Sequence, residues 1–287
     1  MGPNLKAVSA GSMPRFRLGC SRGWQGATTA LVALATALGG GVGANLAAPQ
    51  SALSAQAPAA QASSAQAPTP AQLQALEQAF NGRGELTAVL APGPGLDPAA
   101  VAQRRRTLLK DFPDAHWQVS ASAPLRDGSV TTQVKVLGSR KDGAHTYAFE
   151  AVQLLALGSD GSHINSQRVI KEQSVLQSAE SPLPVSLLIP DAVLTGQRYD
   201  VDVVFDDPLD GAVVAGGLSA LTDAQVSALA SPNLQLGALG GGGLFKTVQA
   251  PLAPGDQTWA VLLVHPKGIV TATKRVRVVA DQAGLNP

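Results

Sequence analysis

After His116 the chain changes its period. Val130, Thr132, Val134 and Val136 alternate with Thr131, Gln133 and Lys135; further on, Tyr147, Phe149 and Ala151 alternate with Thr146, Ala148 and Glu150. Successive side chains of an extended chain point to opposite faces, so a two-residue repeat of this kind specifies a half-buried strand. Strands are expected near 117–123, 128–138, 144–157 and 163–175, joined by the hairpin-type turns RDG, SRKDG and SDGS. VIKEQSVLQ, in the last of them, also fits a helix. Consecutive hairpins restrict this part of the chain to an antiparallel meander.

Upstream the period is helical. QLQALEQAF, residues 72–80, spaces Leu73, Leu76, Ala79 and Phe80 along one face, and NGRG stops it. In DPAAVAQRRRTLLKDF, residues 97–112, Asp97 can cap the first turn and Pro98 suits the first helical position. Val101, Leu108, Leu109 and Phe112 form the apolar stripe. Arg104, Arg105 and Arg106 fan around the axis and read as a solvated face rather than a nucleic-acid patch. Helices followed by a meander give an α+β unit over 72–180. Two helices, then WQVSASAPLRDG from Trp117, then long strands ending in INSQRVIKEQSVL, resemble the nuclear transport factor 2-like superfamily over about a third of the chain. That resemblance implies a cone-like fold, with a curved sheet wrapped around a helix and often an apolar pocket. Enzymatic members use a carboxylate, His or Tyr in the pocket. None of their catalytic motifs is matched here; Tyr147 is the inward-facing candidate for such a role.

SPLP at 181–184 reads as a boundary. Beyond it come short strand-like runs, PVSLLIP, YDVDVVF, VVAGGLSAL, NLQLGAL, LFKTVQA, TWAVLLVH and IVTATKRVRVV, with a capping-box helix at TDAQ, 222–225. About seven short strands with turns between them suggest an all-β immunoglobulin-like sandwich over 182–281, folding as its own unit. LAPGDQTWAVLLVHPKG, residues 252–268, resembles the penultimate strand and turn of bacterial Ig-like modules, with Trp259 near the corner aromatic's place. Residues 282–287 read as a disordered tail.

The N-terminal region is of another kind. Residues 1–26 carry Lys6, Arg15, Arg17 and Arg22 and no acid, and from Ala27 to Leu76 no residue is charged. A basic start, a short apolar run at Ala30–Leu38 and small residues after it match a secretory signal peptide, assigned to 1–55. The alternative is an uncleaved anchor made of residues 27–47. Residues 56–71 form an Ala/Gln/Pro/Ser linker with too few bulky apolar residues to offset ordering entropy. The single cysteine, Cys20, leaves no intrachain disulfide and no Cys-based zinc cluster.

Little else announces chemistry. With Lys+Arg 21 against Asp+Glu 20, the chain has no positive field for a phosphate backbone, so no nucleic-acid partner is expected. LGGGGLFKT, residues 239–247, looks like a phosphate loop, but Phe245 precedes Lys246 where a glycine is needed, and Pro251 and Pro254 forbid a long following helix. Phe245 and Lys246 are instead candidate ligand- or partner-contact residues on a strand end whose Phe245, Thr247 and Gln249 share one face and whose Leu244, Lys246 and Val248 share the other, the Phe245 ring being either tucked over the sandwich end or exposed as an anchor. Asp206, Asp207 and Asp210 are the weak calcium candidates; with Asp200 and Asp202 they fit the outward face of a strand and a turn, and they lack the calcium-loop spacing. His145 and His163 stand at opposite ends of one strand, roughly 40 Å apart, too far to share a metal. His116 and Trp117 begin the first meander strand and are candidate contact residues. No cofactor or metal is expected. The expected function is an exported, non-enzymatic binding or assembly protein of the bacterial envelope, periplasmic or extracellular. Its expected partner is an envelope protein or polymer, or a small apolar ligand, and it meets the membrane only through an uncleaved leader. The alternative is an acid–base enzyme of isomerase or dehydratase type, using a pocket near Tyr147.

Overall fold

The computed structural model describes residues 66–227 and 232–287. The leader expected over 1–55 and most of the linker expected over 56–71 lie outside the described residues. Helix α1 (Pro70–Phe80) starts at a reciprocal capping box. The Thr69 hydroxyl accepts the Gln72 N–H, and the Gln72 side chain accepts the Thr69 N–H. Helix α2 (Pro98–Asp111) is capped by the Asp97 carboxylate, which accepts the Ala99 N–H at 2.9 Å.

The meander follows as β1 (His116–Ser122), β2 (Thr131–Asp142), β3 (His145–Ser159) and β4 (Ile164–Ser178), each antiparallel to the next. VIKEQSVLQ is strand, paired with β3 on both sides of a register shift at Ile170, so tertiary pairing overrides its helical option. Both helices lie on one face. Leu76, Phe80, Leu108 and Phe112 pack there against Trp117, Val136, Phe149 and Leu155. Ring stacking of Phe112 on Phe149 at 4.6 Å and of Phe80 on Trp117 at 5.8 Å adds to this core.

The sheet does not stop at β4. The remaining strands are β5 (Val185–Leu188), β6 (Ala192–Leu194), β7 (Arg198–Phe205), β8 (Val214–Leu221), β9 (Gly237–Leu239), β10 (Gly243–Gln249), β11 (Gly255–His265) and β12 (Gly268–Val279). β4 pairs with β12 from Val270↔Gln177 to Lys274↔Gln173, so a nine-stranded sheet runs β1-β2-β3-β4-β12-β11-β8-β9, with β6 parallel to the end of β12. β10, β7 and β5 form a separate three-stranded sheet, in that order. The molecule is mostly antiparallel β with a few helices, and an open sandwich describes it. SPLP falls between β4 and β5; the segments on either side of it share the large sheet.

Neighbouring residues show how this arrangement works. Leu176 of β4 packs into the helix-side core, whereas Val175 packs against the second core. Adjacent strand residues face opposite sides, so the two cores lie on opposite faces of one sheet. The second core unites Val201, Val203, Val261, Leu263, Val270 and Val276 from both sheets. The capping box expected at TDAQ is present at α3 (Asp223–Ser227), where Thr222 and Gln225 exchange hydrogen bonds. Residues 282–287, read from the sequence as a tail, include α4 (Gln282–Leu285). Arg277 donates to the Gly284 and Leu285 carbonyls and so ties α4 to β12.

Candidate functional site

The outward face of the three-stranded sheet carries an exposed apolar side chain on each of its two flanking strands. Register places Phe245 of β10 opposite Asp202 of β7, and Asp202 opposite Leu188 of β5. Phe245 is 66% exposed and Leu188 60%. The alternation read from LFKTVQA holds: Leu244 and Val248 pack against the second core while Phe245 stands outside it. Lys246, on the inward side, places its ammonium 5.6 Å from the centre of the Trp259 ring. The indole Nε1 of Trp259 donates to the Tyr199 hydroxyl at 2.9 Å, which in turn donates to Gln257. This relay fixes the buried Trp259 in the sandwich.

The glycine run now has a structural account. A strand, β10, follows it where a phosphate loop needs a helix N-terminus. Only close approach demands glycine at Gly243, since a Cβ there would lie 2.3 Å from the Val203 carbonyl oxygen. The Phe245 ring tip would be 3.2 Å from the same Cβ, so the ring folds back across Gly243. Gly240, Gly241 and Gly242 would each meet open space.

Beside β5 lies a groove of about 320 Å³ at the seam between the sheets. Leu137, Val152 and Val175 of the large sheet, with Val185 of β5, form its apolar part, and Glu150 and Asp206 contribute carboxylates. Glu150 is paired with Lys135 at 2.9 Å, and Asp206 accepts the Ser186 hydroxyl at 2.7 Å.

The aspartates are spread over the sheet surface and a turn. Asp200 accepts the Thr247 hydroxyl at 2.7 Å, and Asp202 accepts the Lys246 N–H at 3.3 Å. Asp207 is exposed, and Asp210 occupies a left-handed turn position at φ 48. Among the described residues no group of three or more His, Cys, Asp or Glu is placed to hold a metal.

The remaining candidates are scattered. Trp117 is 4% exposed, with the Arg105 guanidinium 5.8 Å from its ring centre, and belongs to the helix-side core. His116, its neighbour, is exposed. Tyr147 is half-buried, with the Arg140 guanidinium 5.9 Å from its ring centre and His145 6.5 Å away ring to ring. Burial first, and then the Asp142 carboxylate, push the Tyr147 hydroxyl above the ordinary tyrosine value. It is therefore a protonated phenol near neutrality. The structure brings Phe245 and Lys246 together on β10 and separates them from Tyr147, His116 and Trp117.

One polar cluster went unread in the sequence. Glu172 of β4 is 2% exposed, accepts a hydrogen bond from Gln153 at 2.6 Å and pairs with Arg275 of β12 at 3.2 Å. Arg275 also pairs with Asp256. Burial pushes the Glu172 carboxyl above its ordinary value, with Arg275 pulling the other way. The pair bridges β4 and β12, where the meander joins the rest of the sheet. The ladder supplies the backbone bonds there, and this pair adds a side-chain tie.

A family described as "Domain of unknown function (DUF8623)" has a model that matches residues 180–279, about a third of the chain. The match begins just after β4 and ends with β12, so it takes in the whole three-stranded sheet, with Phe245 and Leu188. No curated protein matches the chain.

Proposed function

We propose that this chain is an exported, non-enzymatic binding or assembly module of the bacterial cell envelope. One observation carries the reading: Phe245 and Leu188 stand exposed and aligned on the outward face of a small sheet whose core is already complete without them. Phe245 and Leu188 flank Asp202 on this face, with Asp200 further along β7, and exposed aromatic and aliphatic side chains set around a charge have the composition of a contact surface. Export is supported by the basic, acid-free start and the short apolar run of residues 1–55. Among the described residues no helix is long and apolar enough to cross a membrane, which leaves strands out of account.

The finer fold reading belongs here too. Two helices on one face of a four-strand meander support the nuclear transport factor 2-like resemblance, and the facing sheets of the second core support the Ig-like one. The acid–base alternative has less support. Tyr147 sits with Arg140 and His145 where β2 turns into β3, while the helix-side interior is filled by Leu76, Leu108, Phe112 and Phe149.

The double variant Phe245→Ala, Leu188→Ser tests the reading. Its thermal melt is expected to stay within about 0.5 kcal/mol of the parent, because both side chains are largely outside the core. Capture of the envelope partner by the immobilised protein is expected to fall by about tenfold or more, as for a contact anchor. Unchanged capture with an unchanged melt would contradict the assignment of this face.

A further inference from the structure

β5 is the last strand of its sheet, and its outer edge is open. Asp206 donates its N–H to the Pro184 carbonyl, and β5 then pairs with β7 from Val185↔Phe205 to Leu188↔Asp202. In an antiparallel pair alternate residues turn both backbone groups toward the neighbour. Ser186 and Leu188 therefore address β7, while Val185 and Leu187 direct their N–H and C=O the other way. The side chains of Val185 and Leu187 are committed to the second core, so only their backbone is on offer. Among the described residues β5 pairs with β7 alone. An open edge is a template for another strand unless charges, bulges or a covering segment blunt it.

The seam groove lies along that edge. The three-stranded sheet shares its core with β8, β11 and β12 and reaches β4 at Val175, which with Val152 of β3 lines the groove. Neighbouring strands lie about 4.8 Å apart and stacked sheets about 10 Å apart. A strand added beside β5 would therefore run above β4 and β3, with every second side chain pointing into the groove. Leu137, Val152 and Val175 suit aliphatic side chains there. Two carboxylates line the groove: Glu150 is already paired with Lys135 at 2.9 Å, whereas Asp206, among the described residues, accepts only the Ser186 hydroxyl and is the one that complements a cation.

We propose that β5 accepts an extended segment of a partner protein as an added strand, with groove-facing side chains that are aliphatic and include a Lys or Arg. The proposal rests on the binding-module reading and specifies the chemistry of the partner; main-chain bonds would give affinity and the groove specificity.

The test is fluorescence anisotropy with the full chain and a short labelled peptide that alternates threonine with valine, lysine and valine. Saturable binding is expected. Replacing the lysine by glutamate should weaken it about tenfold or more, and Asp206→Lys should narrow or reverse that preference. Methylating the peptide amides along the edge that pairs with β5 should abolish binding, while methylating the opposite edge should not. Absence of saturation up to about 1 mM, or indifference to methylation of either edge, overturns the proposal. Val185→Pro removes the outward N–H without removing a bond to β7 and is expected to lose the peptide. Should that variant unfold, the methylated peptides put the same question to the unaltered chain. Sedimentation at rising concentration covers a second copy: a dimer that the peptide displaces would make β5 of another molecule the occupant and overturn the partner strand. A native partner lost with Phe245→Ala, Leu188→Ser but retained by folded Val185→Pro would overturn strand addition and leave the binding role standing.

Discussion

Replacing Arg275 by leucine is expected to destabilise the protein by about 3–5 kcal/mol, because it removes the cation paired with the buried Glu172 carboxylate and leaves only the electrostatic influence of Arg104. The double variant Glu172→Leu, Arg275→Leu should recover most of that loss, since apolar replacement of a whole buried pair is often neutral or better. The single variant should also show a steeper pH dependence than the parent, because Arg275 no longer opposes the upward push of burial on Glu172. Burial raises the carboxyl's value in the folded state, so its protonated form favours folding. The contribution is fully present below the ordinary glutamate value and is lost as pH rises through the raised one. Denaturant melts across that window should show Arg275→Leu gaining relative stability in acid, and the double variant showing no such gain. A loss below about 1 kcal/mol, typical of surface pairs, would mean that the pair does not tie β4 to β12.

Phe112→Ala should be comparably severe. Phe112 ends α2, is fully buried, stacks on Phe149 at 4.6 Å and has the Arg140 guanidinium 5.8 Å from its ring centre. Removing a buried aromatic costs about 3–5 kcal/mol through lost transfer energy and the cavity left behind. Here the helix end would also lose its anchor on β3. A drop in denaturation midpoint with an unchanged slope is the expected signature. A change of less than about 1 kcal/mol would show that the helices contribute little to holding the meander.

Much of this fold was legible because alternation and capping are local. The meander strands, the register of faces along LFKTVQA, the Asp97 cap and the capping box at TDAQ depend on residues within a few positions of each other. The β4–β12 ladder does not. Alternation tells which face a residue takes but not which strand lies beside it, so the joining of the two segments into one sheet was invisible. β6 was missed because three residues between Pro190 and Gly196 carry no period, and its strand character comes from pairing with β12. Glu172 and Arg275 were missed for a related reason. KEQ and KRVRV read as polar positions on half-solvated strands, and only a strand covered on both faces turns them into a buried pair. Trp117 was counted among contact residues, although its alternation with Val119 already set it on the face of Val134 and Val136. Exposure of Phe245 was open in the sequence, which allowed a buried or an outward ring; the register with Asp202 and Leu188 decides it.

The central claim is that the outward face of the β10-β7-β5 sheet meets a partner. Site-specific photo-crosslinking in the native host tests it most directly, with the reactive side chain placed at Phe245, at Leu188 and, as a control on the opposite side of the molecule's large sheet, at the exposed Arg106 of α2. The account predicts one discrete adduct, shared by the Phe245 and Leu188 positions and absent from Arg106. Adducts from Arg106 alone, or none from either sheet position in a folded protein, would contradict it.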